Sequence, residues 1–397
     1  MATVPAIKQF SDRINRIEIS ATMAVVAEAA KLKAAGADLV EFGAGEPHFS
    51  TPQHIKDAAI AAIQQDCTRY TAVAGIPELR KAIVERHAAD FGSAYKPEEA
   101  IASTGGKLAL FNAFQVLVDH GDEVILPVPY WVSFKDIIEY GGGKCVYAHT
   151  DEGDGFRLTA AMIERLVTPR TRAILINSPN NPSGAVMDTE DFRSILRMAH
   201  KRGIYVIADE CYVYLNYTGS SFSAGSVTEA KEHLVIAGSL SKTYAMTGWR
   251  LGFALAPAPI VNAMTKLQSQ STSSTAHMIQ KAAVAALTGP QQCVADMKAE
   301  YIRLRDQTLD LLKKIPGITC GKPDGAFYVY PNVSAYFGKS GITSAAEVAR
   351  RLLHEAHVVT VPGEAFGTRE HIRLSYATSS GEIQRGLERM QAWFAKL

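Results

Sequence analysis

The chain has 397 residues, 47% of them apolar, enough to fill two hydrophobic cores rather than one. Its 41 lysines and arginines stand against 40 aspartates and glutamates, so no excess positive field invites nucleic acid or an anionic membrane. Small molecules, or a second copy of the chain, are the expected partners.

The opening MATVPAIKQFSDRINRIE is polar and charged, and no apolar run approaches the length of a membrane span. Cys67, Cys145, Cys211, Cys293 and Cys320 are far apart and form no CxxC pair, so they read as reduced thiols of a cytoplasmic protein. ISATMAVVAEAAKLKAAG predicts a helix ahead of GAGEPHF. AIAST is a strand candidate that runs into a glycine turn and the helix GGKLALFNAFQVLVDHG. Four Val- and Ile-rich runs follow, DEVILPVP, TRAILINS, GIYVIADE and HLVIAGS, with the amphipathic TEDFRSILRMAHKRG among them. These runs are too uniformly apolar for a sheet with one solvated face, so they predict an α/β fold with a mostly parallel sheet covered on both sides. From about residue 295 the pattern becomes a long charged helix, ADMKAEYIRLRDQTLDLLKKIPG, and then the strand-like GAFYVYP. The expected organisation is a large domain over 49–290 and a smaller α+β domain over 291–397, with the segment 1–48 packing against the latter.

Ligands of open parallel sheets sit at the carboxyl ends of the strands. Trp131 follows DEVILPVP, Asn181 follows AILIN, Asp209 and Tyr212 end GIYVIA, and Ser239, Ser241 and Lys242 end LVIAG. Gly106 and Lys107 open a helix after AIAST, where free backbone N–H groups make an anion site. Arg250, Ser239 and Ser241 could close around the same phosphate. A phosphate-bearing cofactor beside a reactive amine suggests pyridoxal 5'-phosphate. Lys242 would hold its aldehyde as a Schiff base, Asp209 would pair with the pyridine nitrogen, Asn181 and Tyr212 could bind the ring hydroxyl, and Trp131 could stack on the ring.

With SPNNPSG, ADECYVYL, SLSKTYAMTGWRLG and IRLSYATS in this order and spacing, the chain resembles the aspartate aminotransferase family, class I fold-type I enzymes that use pyridoxal phosphate. The resemblance spans nearly the whole chain. It implies a three-layer αβα domain around a mostly parallel seven-stranded sheet, plus the smaller domain. It makes Lys242 the Schiff-base lysine and proton shuttle, and Arg373 the clamp on the substrate α-carboxylate. Gly45 becomes a backbone contact at the substrate and Lys107 a partner for the distal carboxylate of aspartate or glutamate. Tyr70 is expected to reach the phosphate of the neighbouring subunit, which implies a homodimer. The activity implied is transamination, with aspartate and 2-oxoglutarate as the expected pair.

Leu108, His48 and Glu18 stand where the family commonly has glutamine, aspartate and a basic or amide residue. Glu18 would repel a larger dicarboxylic substrate such as prephenate. Aromatic amino acid or prephenate transamination, and β-elimination from cysteine conjugates, remain the alternatives. GGKL fails the Walker A pattern, because Ile101 stands five residues before Gly106 and Leu108 follows Lys107; GAGEPH fails the dinucleotide fingerprint at His48. His48, His200 and His277 show no ligand-like spacing, so no metal is expected.

Overall fold

The computed structural model describes residues 10–18, 21–219 and 222–397. Ile19 and Ser20 of the expected first helix, and residues 1–9 of the expected N-terminal segment, lie outside the described residues. The strands, in chain order, are β1 (Val40–Glu41), β2 (Ala100–Ser103), β3 (Glu123–Val128), β4 (Lys144–His149), β5 (Thr171–Asn177), β6 (Tyr205–Asp209), β7 (Leu234–Ser239), β8 (Gly252–Leu255), β9 (Tyr328–Val329), β10 (Val358–Val359), β11 (Val361–Pro362) and β12 (Ile372–Ser375). Seven of them form one sheet in the order β2-β8-β7-β6-β5-β3-β4. All neighbours in it are parallel except β8, which runs antiparallel to β2 and β7.

Alternation along each central strand divides the core. Ile174 and Ile176 of β5, Val206 and Ala208 of β6, and Leu234 and Ile236 of β7 point into one apolar layer with the helices Pro77–Phe91, Thr189–Arg202 and His277–Thr288. Ala173 and Leu175, Ile207, and Val235 and Ala237 point into the other, against Gly106–Leu117, Ser133–Tyr140 and Ala258–Ser269. A sheet buried on both faces has no room for polar alternation, which is why its strands read as continuous apolar runs. The three-layer α/β architecture is the one expected.

Two strands of this seven-stranded sheet carried no sequence signal. β4 is an edge strand with exposed ends, Lys144 and His149, and β8 is only four residues long, directly after the glycine-rich turn that closes SLSKTYAMTGWRLG. Neither presents the long apolar run that marks a central strand.

A second apolar core gathers Tyr301, Leu304, Phe327, Tyr328, Leu374 and Trp393 around the helices Gln292–Leu312 and Ser380–Phe394. β1 pairs in parallel with β10, and Val25, Ala29 and Leu32 of the helix Ala21–Ala34 pack with Leu353 and Val359. The N-terminal strand is thereby tied to the C-terminal part of the chain. Among the described residues no helix is long and apolar enough to cross a membrane.

Ile174 has no exposed surface. Replacing it by alanine should cost about 2–5 kcal/mol through lost burial and a residual cavity. A urea midpoint that does not move would show that the sheet is not packed on both faces here.

Candidate active site

A cavity of about 290 Å³ opens at the carboxyl ends of β5, β6 and β7. Gly45, Gly106, Lys107, Trp131, Asn181, Asp209, Tyr212, Ser239, Ser241, Lys242, Arg250 and Arg373 all line it. Of the cofactor- and substrate-binding residues expected from the sequence, only Tyr70 does not; it is 95% exposed. A cleft of about 580 Å³, lined by Arg157, Met187 and Lys322 among others, is larger but gathers no comparable set of reactive groups. Chemistry rather than size selects the site.

One end of the cavity is built for an anion. Gly105, at φ +86°, precedes the helix Gly106–Leu117, whose first turn has no side-chain cap. A Cβ at Gly105 would come within 2.3 Å of Arg250 Nη2, so only glycine lets the guanidinium lie over this turn. Arg250 itself is left-handed at φ +55°, a conformation costing a non-glycine residue about 1–2 kcal/mol, and its Nη1 donates to the Thr247 carbonyl at 2.9 Å. Ser239 ends β7, and its Oγ accepts the Ser241 N–H at 3.1 Å. Uncapped N–H groups, two hydroxyls and a guanidinium form a donor set that fits a phosphate.

The middle of the cavity holds the titrating pair. Lys242 lies in the short helix Leu240–Thr243 directly after β7, and its Nζ donates to the Gly45 carbonyl. Burial, with Arg373 and Arg250 as nearby like charges, pulls the Lys242 amine down to about 8, against the opposing pull of Cys211 and Glu46. Asp209, the last residue of β6, is pushed the other way: burial raises it to about 6, although the Cys211 N–H donates to its Oδ1 at 3.1 Å. The two groups share one cause, since removal from water penalises whichever form is charged.

Arg373 marks the far wall. It is 2% exposed on β12; Nη1 donates to Asn181 Oδ1 at 3.0 Å and Nη2 to the Gly43 carbonyl at 2.7 Å. Its Nε has no partner, an unusual state for a buried donor and one that a ligand carboxylate would relieve. The guanidinium stacks 4.5 Å from the Tyr328 ring, and the Tyr328 hydroxyl meets that of Tyr212 at 2.7 Å. Lys107 lies 4.9 Å from the Trp131 ring; burial lowers its pKa, as does the Arg250 charge, while Asp136 opposes.

The chain matches the family model described as aminotransferase class I and II over residues 37–390. The chain belongs to this family. An aspartate aminotransferase of Geobacillus stearothermophilus is 41% identical over 384 residues, covering 96% of this chain and 98% of that one. A probable aspartate/prephenate aminotransferase of Aquifex aeolicus is 40% identical over 388 residues, covering 97% and 98%. The solved aspartate aminotransferase of Thermus thermophilus with maleate superposes with a TM-score of 0.93 at 41% identity, covering 97% of this chain and 100% of that one. The protein is thus a pyridoxal-phosphate-dependent aminotransferase.

Sequence reasoning passed over Asn177, Cys211, Thr247 and Tyr328, which also line this aminotransferase's cavity. Asn177 had a signal, as the polar residue that ends an apolar strand; its Oδ1 accepts the Asn181 N–H at 2.9 Å and its Nδ2 donates to the Asp209 carbonyl at 3.1 Å. Tyr328 had none, because a tyrosine in a short apolar strand reads as core.

Only a neutral amine attacks an aldehyde, so uptake of pyridoxal phosphate by the cofactor-free aminotransferase should accelerate as pH rises through about 8. An unperturbed lysine would place that rise near about 10.4. The pH profile of the stopped-flow absorbance change separates the two.

Proposed function

We propose that the enzyme moves an amino group between aspartate or glutamate and the corresponding 2-oxo acids, 2-oxoglutarate and oxaloacetate. The observation that carries this reading is the charge count of the cavity. Four cations, Lys107, Lys242, Arg250 and Arg373, face a single lining carboxylate, Asp209. A cofactor phosphate accounts for Arg250 and a substrate α-carboxylate for Arg373, which leaves Lys107 for a second carboxylate. The relatives named aspartate aminotransferases support the same substrate.

In this reading pyridoxal phosphate supplies the aldehyde that takes up the amino group and the ring that accepts electrons when the Cα proton leaves. Gly106, Ser239, Ser241 and Arg250 hold its phosphate, and Asn181 and Tyr212 bind its ring hydroxyl. Trp131 lies against the ring, and Asp209 holds a proton on the ring nitrogen, the pairing that restores the charge its burial disfavours. Arg373 orients the substrate through its carboxylate, its Nε available for the second bond of a planar fork. Lys242 Nζ takes the Cα proton and returns it on the cofactor side, a task suited to an amine poised near neutrality. The Gly45 carbonyl, which accepts from that amine, keeps it aimed at the cavity.

Glu18, Asp136 and Glu139 form an acidic group near Lys107: the Glu18 N–H donates to Asp136 Oδ1 at 3.4 Å, and burial raises the pKa of Asp136 and Glu139, with the Glu18 charge adding to both against the pull of Lys135. A substrate longer than glutamate would extend its carboxylate toward them, which supports aspartate over prephenate.

The reading extends to a homodimer in the cytoplasm. Tyr70 is 95% exposed, and Ile60 and Ile63 are each 52% exposed, large apolar side chains that would be covered by a second copy, whose phosphate Tyr70 would reach. The five free cysteines suit a reducing compartment. The segment 1–48 and residues 291–397 act as one small domain that supplies Gly45 and Arg373 to the large domain over 49–290.

Steady-state assays with aspartate, glutamate, phenylalanine, prephenate and a cysteine conjugate test the substrate. Aspartate with 2-oxoglutarate should give the highest kcat/KM; a higher value for phenylalanine, prephenate or the conjugate would overturn the reading. Lys107→Gln should raise KM for aspartate by about tenfold to a hundredfold, the worth of one hydrogen bond to a charged group, and leave phenylalanine unaffected. Sedimentation should show a dimer, and Tyr70→Phe should weaken cofactor retention by about tenfold; a monomer that keeps full activity would remove the shared site.

A further inference from the structure

His200 and His233 are 33 residues apart in sequence, and their Nδ1 atoms meet at 3.1 Å. His200 lies in the last turn of the helix Thr189–Arg202, and His233 ends the 3-10 turn Thr228–His233 that leads into β7. Glu232 stands beside them, and one ligand atom from each of the three lies within 4.8 Å of the others. The expectation of no metal rested on spacing along the chain; folding supplies the proximity that the spacing lacks.

We infer that His200, His233 and Glu232 form a surface site for a divalent transition metal of the zinc and copper type. Two imidazole nitrogens on a tetrahedral zinc, each about 2.0–2.1 Å from the ion, stand about 3.3 Å apart, close to the observed separation. Two facing Nδ1 lone pairs repel unless a proton or a cation lies between them. The imidazole pair with a carboxylate suits zinc, copper or nickel rather than magnesium or calcium, which prefer all-oxygen sites. Exposed Glu232 is free to turn its carboxylate onto the ion, and the carbonyl end of the helix favours a cation there.

The charges around the site do not forbid it. Arg202 is paired with Glu164 at 2.6 Å, and Arg172 is drawn aside, its Nε donating to the Leu117 carbonyl at 2.8 Å with its guanidinium over the Tyr205 ring. Lys201 is exposed to solvent. The site lies at the amino end of β7, about 20 Å of strand from Lys242, so the ion would pin a helix end to a strand start without touching the chemistry.

Copper(II) and zinc titrations of the cofactor-loaded protein test this. One Cu²⁺ per chain should bind with electron-spin coupling to two imidazole nitrogens, the proton between the rings moving to the Nε2 of the ring that carried it. His200→Gln or His233→Gln should each lose about tenfold or more in affinity while keeping transaminase activity, since even an outer partner of a metal typically costs that much. On the unaltered protein, Zn²⁺ should protect both histidines from carbethoxylation and raise the melting temperature. Unchanged affinity in both variants, or no protection by Zn²⁺, would mean that a proton alone bridges the pair.

Discussion

Removal of opposite charges from water at the carboxyl ends of the central strands is the constraint on which the rest of the site depends. The same burial drives Lys242 down to about 8 and Asp209 up to about 6, so neither group is at ease in its charged form. A protein selected for stability alone would fill such a place with apolar side chains. Here β6 ends on Asp209 and the short helix that follows β7 carries Lys242, and the helices on both faces of the sheet hold them in place. The cost of burial is offset when a ligand with complementary charges enters, which makes the same desolvation the source of both reactivity and affinity for the cofactor.

The large sheet cannot complete the cavity by itself. Arg373 comes from β12, Tyr328 from β9, and the carbonyls of Gly43 and Gly45 from the turn after β1. β1 is held by its parallel pairing with β10, so the first and last parts of the chain deliver their groups together. The unpartnered Arg373 Nε then faces a wall already organised by Asn181 and Gly43, a fork with two prongs occupied and one waiting. Close packing of glycine makes the opposite end equally specific: any side chain at Gly105 would collide with Arg250, and one at Gly252 would collide with the Gly106 backbone at 2.2 Å.

Much of this was legible in the sequence. The runs ending at Asn177, Asp209 and Ser239 appear as β5, β6 and β7, because a strand buried on both faces must be apolar throughout. The glycine turn before Lys107 opens the predicted helix for an equally local reason. The partly exposed β4 and the short antiparallel β8 were illegible, since neither has a pattern that differs from a loop. Tyr328 was illegible because nothing local distinguishes a tyrosine that supports a guanidinium from one that fills a core.

The sequence by itself determined the period and face of each central element and the residue types at their ends, because those depend on neighbours a few positions away. Tertiary structure decided which ends meet. Lys242 reaches a carbonyl 197 residues earlier, Arg373 an amide 192 residues earlier, and His200 a ring 33 residues later. Such contacts arise from the packing of whole layers, in which a displacement of one strand moves every group at its end. No local pattern of side chains specifies that arrangement.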